Sequence, residues 1–290
     1  LAQFCFVNNE KPPLQIAELL QKGKHTLAFL YSFPQVNFAE WQDFMKYGSS
    51  PDKQVVRYRF NSFNQLQAGA TLKNDAGEEF YRSNRGVFDY KSAYVAHNSK
   101  RIDFIVGDYE LQVAQGLSVS QGGFFGKTID RSVRANLLQA KVHSSANEFD
   151  FFRGAIARMY FSHFEITPFV SFRHFDGKLS SDSSFPFQIY ETGYHRSESE
   201  ILNRNAVAVQ TYGLHASSKI RNFSYALTSL LHKFSLNQTE SNIAHTSAAF
   251  RFAKPKFALF GELAFDKLWQ QALCIGTHFK LHQDFLYTCI

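Results

Sequence analysis

The stretch Gly122–Thr128, reading GGFFGKT, is the segment whose residue types come nearest to a known piece of chemistry. A phosphate-binding loop needs four residues between its first glycine and the Gly-Lys-Ser/Thr, so that backbone N–H groups surround the phosphates. Here Gly122 to Gly126 leaves three, position 121 is Gln, and no amphipathic helix of useful length follows. The register fails, and no nucleotide partner is expected. The 11 histidines include no pair at the spacing of a zinc helix. His163, His174 and His195 are expected as solvated rim residues, because a metal needs converging ligands; no metal or other cofactor is expected. Carboxylates gather at Asp75, Glu78 and Glu79, and again at Asp103, Asp108 and Glu110. Paired acids can hydrolyse glycosides, but with Arg57, Arg59, Arg153 and Arg158 in the same chain they read as charge-ladder partners. Serine and histidine are abundant, yet no spacing picks out a nucleophile and its base. The expectation is a protein that is not an enzyme.

The elements that must carry these residues are strands. In Lys24–Phe33, Leu27, Phe29, Tyr31 and Phe33 share one face, the period-two signature of a strand. Val56, Tyr58 and Phe60 oppose Arg57 and Arg59, and Leu66, Ala68, Ala70 and Leu72 oppose Gln67, Gly69, Thr71 and Lys73. Two arginines aimed into a dry sandwich core would be costly, whereas a wet lumen accepts them. In Arg101–Val113 the apolar set passes from Ile102, Phe104 and Val106 to Tyr109, Leu111 and Val113, which predicts a bulge at Gly107–Asp108. Further strands are expected at Val87–Ala96, Phe151–Ser162, Ile166–Phe175, Ala206–Ser218, Phe223–Phe234, Ile243–Ala253, Lys256–Asp266, Ala272–Leu281 and Phe285–Ile290. With Leu1–Val7 the expected total is at least about 14, many near the ten residues that cross a bilayer at a tilt. Pro12–Gln21 instead has helical spacing, with proline suited to a first turn, and is expected as a short helix on the periplasmic rim.

Composition agrees with a wall of this kind. Aromatics make up 16%, with 32 Phe and 13 Tyr, yet mean hydropathy is only −0.27. Outward aromatic and aliphatic residues interleaved with inward polar ones give that combination. No window of about 18 apolar residues is present, which excludes transmembrane helices. Net charge is +6, but the basic residues are dispersed, as on a solvated lumen and rim. Cys5, Cys274 and Cys289 have no metal-type spacing. The connections alternate in length. Pro34–Lys53, Asn74–Gly86, Ala114–Asp150 and Asp176–Asn205 are long, while those near Ser62–Gln65, His97–Lys100, His163–Glu165 and Ile220–Asn222 are short. Outer-membrane barrels have this asymmetry between their two rims. Ala114–Asp150 is too long for a simple connection; it folds either inward as a plug or outward as a binding surface.

Several motifs in order carry a family resemblance. Gly48-Ser49-Ser50-Pro51-Asp52-Lys53 precedes Arg57-Tyr58-Arg59-Phe60, and Asn74-Asp75-Ala76-Gly77-Glu78-Glu79-Phe80 precedes Gly107-Asp108-Tyr109 and Gln115-Gly116-Leu117. Phe151-Phe152-Arg153-Gly154-Ala155, Thr192-Gly193-Tyr194-His195-Arg196 and Gly261-Glu262-Leu263-Ala264 follow. The series resembles the Bacteroidota proteins described as helix-hairpin-helix domain-containing, whose large C-terminal part is an outer-membrane barrel. The resemblance implies a signal peptide and a small periplasmic helix-hairpin-helix region ahead of this chain, and further barrel strands after it. It carries no catalytic residues over.

Together these readings give an all-β fold: an incomplete antiparallel transmembrane β-barrel, one domain over residues 1–290, in a bacterial outer membrane. Outer-membrane lipid and lipopolysaccharide are the expected partners. Arg57, Arg59, Gln67, Arg153, Arg158 and Glu262 are the residues expected to face the lumen. The expected role is a passage or a surface-binding scaffold. The alternatives are a DNA-binding or DNA-uptake component, acting through the absent helix-hairpin-helix region, and a soluble β protein with a carbohydrate-binding or enzymatic role.

Overall fold

A computed structural model of the chain describes residues 21–33, 52–63, 65–78, 88–122, 137–180, 185–282 and 285–289. The expected strand Leu1–Val7 and all but the last residue of the expected helix over 12–21 lie outside the described residues, as does most of the long connection after Phe33. In chain order the first strands are β1 (Lys24–Ser32), β2 (Lys53–Ser62), β3 (Leu66–Asn74), β4 (Tyr90–His97), β5 (Ile102–Val113), β6 (Ser120–Gln121), β7 (Leu138–Val142), β8 (Phe152–Tyr160) and β9 (Phe164–Phe175). There follow β10 (Gly177–Leu179), β11 (Phe187–Ile189), the single turn and a half of α1 (Glu198–Leu202), β12 (Val207–Ile220), β13 (Phe223–Leu236), β14 (Thr239–Lys254), β15 (Phe257–Asp266), β16 (Gln271–His282) and β17 (Phe285–Cys289).

All but β10 and β11 belong to one 15-stranded sheet. Its wall runs β1 to β5, then β8, β9 and β12 to β17, each strand antiparallel to the next, with β1 and β17 at the edges. The short turns of the first half, at 63–65, 98–101, 161–163 and 221–222, share one rim, and the long loops 75–89, 114–151 and 176–206 share the other. The rhythm stops there. On the long-loop rim β13 and β14 are joined by only 237–238, and β15 and β16 by 267–270.

Register sorts the wall into two faces. Thr71 stands between Arg57 and Ser92, Thr211 between Ser171 and His232, and Ser247 between Thr228 and Ala264. Of this set the small residues Thr71, Ser92, Ser171, Thr211, Thr228, Ser247 and Ala264 are buried and Arg57 and His232 half-buried, whereas Val95, Val106, Phe172, Leu214, Leu227 and Leu273 on the opposite face are exposed. A soluble sandwich would have the two faces the other way round.

The buried face encloses a piece of the chain itself. β4 follows β5 only as far as Gly107, and beyond Tyr109 β5 pairs with β6 and β7 instead of the wall. At Gly107 φ is +105°, and a Cβ would meet the Ala93 carbonyl oxygen at 2.2 Å, so the departure requires glycine. The expected bulge is not present: β5 and β8 stay in one register from Ile102↔Met159 to Tyr109↔Phe152. Side chains keep alternating, and what changes is their surroundings. Ile102 and Val106 look outward from the wall, while Tyr109, Leu111 and Val113, each 0% exposed, lie inside. With Tyr94, Ile105, Leu138, Ile156, Phe169 and Leu230 they form the main core, each fully buried aliphatic side chain contributing about 1.5–3 kcal/mol. The Phe169 ring fills the space over Gly213, where a Cβ would sit 2.0 Å from it.

The gap left by β5 is closed by Arg153. Its guanidinium is bidentate to Asp108 at 2.7 and 2.9 Å and donates at 2.7 Å to the carbonyl of Lys91, which β5 no longer serves. This corrects one expected lumen residue. Arg153 and Arg158 lie five positions apart on a strand of constant register, so they point to opposite faces. Arg158 is the inner one, donating to the Leu138 carbonyl of the enclosed hairpin.

Candidate functional site

Two regions concentrate polar side chains, and each ties a long loop to the wall. The first is the tip of the enclosed hairpin. Glu262 of β15, 1% exposed, accepts the backbone N–H of Gln115 at 2.9 Å, Leu117 at 3.1 Å and Ser118 at 3.4 Å, together with the Ser118 hydroxyl at 3.1 Å. The Ser118 hydroxyl also lies 3.0 Å from Ser247 Oγ of β14. Four donors on one carboxylate satisfy amides that a turn inside a wall would otherwise leave unpaired. On the opposite side, Arg59 donates to Ser144 at 3.1 and 3.2 Å, on the returning arm of the hairpin. Arg57 and Arg59 line a cleft there of about 450 Å³ with Glu110, Lys141 and His143. Gln67 faces the same side, opposite Asn61 in the β2–β3 register. The described parts of this segment, 114–122 and 137–150, are therefore folded inward.

The second region is on the long-loop rim. Asp75 and Glu78 follow β3, Asp89 precedes β4, Asp176 follows β9, and His195 lies just before α1. Local chemistry fixes each. Glu78 Oε2 accepts the Asp75 N–H at 2.8 Å, closing a turn, and its Oε1 accepts the His195 N–H at 3.1 Å. After His195 the chain enters a capping box, in which Ser197 accepts from the Glu200 N–H and the Glu200 carboxylate accepts from the N–H groups of Arg196 and Ser197. His195 Nδ1 is 2.6 Å from Asp89 Oδ2, and Nε2 is 2.9 Å from Asp176 Oδ2. Arg204 pairs with the other Asp89 oxygen at 2.6 Å, and the Asn205 N–H with the other Asp176 oxygen at 2.8 Å.

His195 is buried, not solvated as its loop position suggests, whereas His163 and His174 are exposed. Burial opposes a charge on His195, but Asp176 and Asp89 outweigh it and raise the imidazole to about 9. Burial, and then the charge of Asp89, push Glu78 up to about 7. Asp176 moves down: burial acts against it, but His195, the Asn205 N–H and Arg204 prevail. Beside this cluster, Lys73 bridges Asp75 at 2.6 Å and Glu148 at 2.7 Å, and Lys53 reaches Asp75 at 2.7 Å. Asp75 therefore goes to lysines. Of the expected carboxylate–arginine ladder, Asp108–Arg153 is formed.

No family model and no curated protein matches the chain. Among solved structures it is similar to a porin, at 10% identity and a TM-score of 0.42, over 79% of this chain and 62% of that one. It is also similar to an anion-selective porin from Comamonas acidovorans, at 11% identity and a TM-score of 0.37, over 81% and 76% of the two chains. A loop-deletion form of OmpT, an outer membrane protein of Vibrio cholerae, aligns at 9% identity and a TM-score of 0.33, over 90% of each chain. At those scores the architecture stands on the chain's own strand register. The chain spans 62% of the length of the first of these porins.

The rim cluster borders a cleft of about 670 Å³, whose lining includes Tyr90, Phe151, Arg173, Tyr190, His195 and Arg204. Arg173 is spent on structure there, donating to the carbonyls of Glu148, Phe149 and Phe151 and stacking between the Phe151 and Phe175 rings. Both ring nitrogens of His195 are occupied by carboxylates, so it is not placed to activate a hydroxyl or thiol. The cluster ties loops together. The sequence signal for it was Ser197-x-x-Glu200, a capping box that fixes the backbone direction immediately after His195.

Proposed function

We propose that this chain is a non-enzymatic β-barrel protein of the bacterial outer membrane, occluded by its own hairpin, and that it works as a surface scaffold through its long-loop rim. The observation that carries this reading is the enclosed hairpin, tied to Arg59 on one side and Glu262 on the other. A segment with an apolar core and anchors on opposite walls fills the space that a porin leaves to water. The membrane reading is supported by the outward face. Towards the short-turn rim it carries Phe164, Phe223, Phe250, Phe257 and Phe279, several in ring contact, and nearer the other rim Phe172, Tyr212, Phe265 and Trp269. Leu214, Leu227, Leu273 and Ile275 are exposed on this face too. So long an apolar surface is stable against lipid and not against water. Lipid and lipopolysaccharide are the partners of that face. The test is conductance of the full-length protein in planar bilayers. The expected result is insertion without steady current; a stable open-pore conductance from the unaltered protein makes it a passage instead.

A further inference from the structure

The rim cluster has a donor geometry that loop anchoring alone does not require. Glu78, Asp89 and His195 each present one ligand atom, and the three lie within 4.8 Å of one another. The opposite end of each group is already held. Asp176 takes His195 Nε2 at 2.9 Å, Arg204 takes Asp89 Oδ1 at 2.6 Å, and the Asp75 N–H takes Glu78 Oε2 at 2.8 Å. Turned towards one another are Nδ1, Asp89 Oδ2 and Glu78 Oε1, the last also accepting the His195 backbone N–H at 3.1 Å, with Oδ2 and Oε1 lying 2.6 and 4.0 Å from Nδ1. A carboxylate on the far nitrogen of a histidine is the arrangement that orients metal-ligating imidazoles and raises their basicity. We infer that Glu78, Asp89 and His195 form a site for one divalent metal ion of the zinc class, with Asp176 as the residue that positions the histidine.

The mixed nitrogen and oxygen donor set favours this class over calcium or magnesium, which take oxygen ligands. Bond lengths near 2.1 Å place tetrahedral ligand atoms about 3.4 Å apart, so an ion is admitted when side-chain adjustment opens the 2.6 Å Nδ1–Oδ2 pair and brings Oε1 in from 4.0 Å. The ion takes the place of the Nδ1 proton, which leaves to solvent. Asp89 and His195 both border the 670 Å³ cleft, which gives the ion an entry path and a fourth ligand from water. The ligands come from two separate connections, Glu78 and Asp89 from the one between β3 and β4 and His195 from the one after β9, so one ion cross-links these two loops of the rim. The inference is independent of whether the barrel is a passage or a scaffold.

The experiment uses the full chain in detergent, stripped with a chelator and titrated with zinc by calorimetry, with calcium as the competing ion. One saturable zinc site per chain is expected, lost in Glu78→Gln and in His195→Gln and weakened roughly 10–100-fold in Asp176→Asn. Cobalt substitution should give the visible absorption of a four-coordinate nitrogen–oxygen site, a readout that a purely structural ion-pair cluster does not produce. Retained strand circular dichroism keeps a folding failure from counting as loss of binding. Absence of stoichiometric zinc binding by the folded unaltered chain, preference for calcium, or binding that all three variants retain overturns the site.

Discussion

Glu262 and His195 each hold a long loop, but by opposite means. Glu262 is a buried carboxylate that collects neutral backbone and hydroxyl donors from a segment enclosed by the wall. His195 sits among Asp89, Asp176 and Glu78, whose own positions depend on Arg204 and on backbone amides. The first anchor is made of groups that do not change charge near neutral pH on the donor side. The second is made of groups that do. The difference is that the hairpin anchor relies on neutral donors, while the rim anchor relies on groups whose ionisation the fold shifts towards neutral pH or above it.

The sharpest way to break this comparison is Glu262→Ala. It strips the acceptor from three amides, and each donor left buried and unpaired costs roughly 1–3 kcal/mol. Amide exchange of the peptide around 110–120, followed by mass spectrometry, should accelerate by about 100-fold or more, with intermittent bilayer current, while rim peptides keep their protection. Equal loosening of both regions shows one cooperative unit in place of two anchors.

His195→Asn is the converse test. It leaves Asp89 and Asp176 facing each other without the imidazolium, a loss of about 3 kcal/mol for a buried pair. Protease cleavage within 185–206 should accelerate strongly, with hairpin exchange and bilayer silence unchanged. Current from this variant means that the rim, too, holds the plug.

A pH series in the presence of a chelator separates the anchors without mutation. The folded-state values of His195, about 9 against an ordinary 6.5, and Glu78, about 7 against 4.5, are both raised. Stability from raised groups is fully present below the ordinary values and is lost as pH climbs through the folded ones. Asp176 is lowered, so its contribution is lost as pH falls below its ordinary 3.8. Rim protection is therefore expected to be greatest in mildly acidic solution and to decline by up to about 6 kcal/mol, roughly 3 from each group, between about pH 5 and 10. Hairpin exchange, corrected for the intrinsic pH effect, should stay level over that range, and a parallel decline removes the distinction.

The smallest expected effect is that of Arg59→Ala. Its guanidinium reaches Ser144 from an exposed side chain, and such a contact is worth under about 1 kcal/mol. Hairpin exchange should change by no more than about fivefold. A larger change moves the main anchor from Glu262 to the β2 side.

The sequence was most legible where period-two alternation is strong. The strands at Lys24, Gln54, Gln65, Phe223 and Lys256 are where their patterns place them, because each has one face in an apolar setting and one in a polar one. Short pairings without alternation were illegible: β7, β10 and β11 lie inside stretches that read as loop. Arg153 was assigned by residue type, and strand parity sends it to the other face. His195 was read as a solvated rim residue, since its acidic neighbours come from positions 78, 89 and 176 and only folding brings them together.

By itself the sequence determined a wall: alternating strands, an aromatic outward surface, and loops that are long on one rim and short on the other, all set by local periodicity and turn chemistry. Only the tertiary structure decided what the wall contains. Nothing local in Ala114–Asp150 says whether it turns in or out. That choice follows from Gly107, where the backbone leaves the sheet, and from Glu262, a carboxylate 144 or more positions along the chain from the amides it accepts. Contacts over such separations are fixed by closure of the fold, and no short stretch of sequence records them.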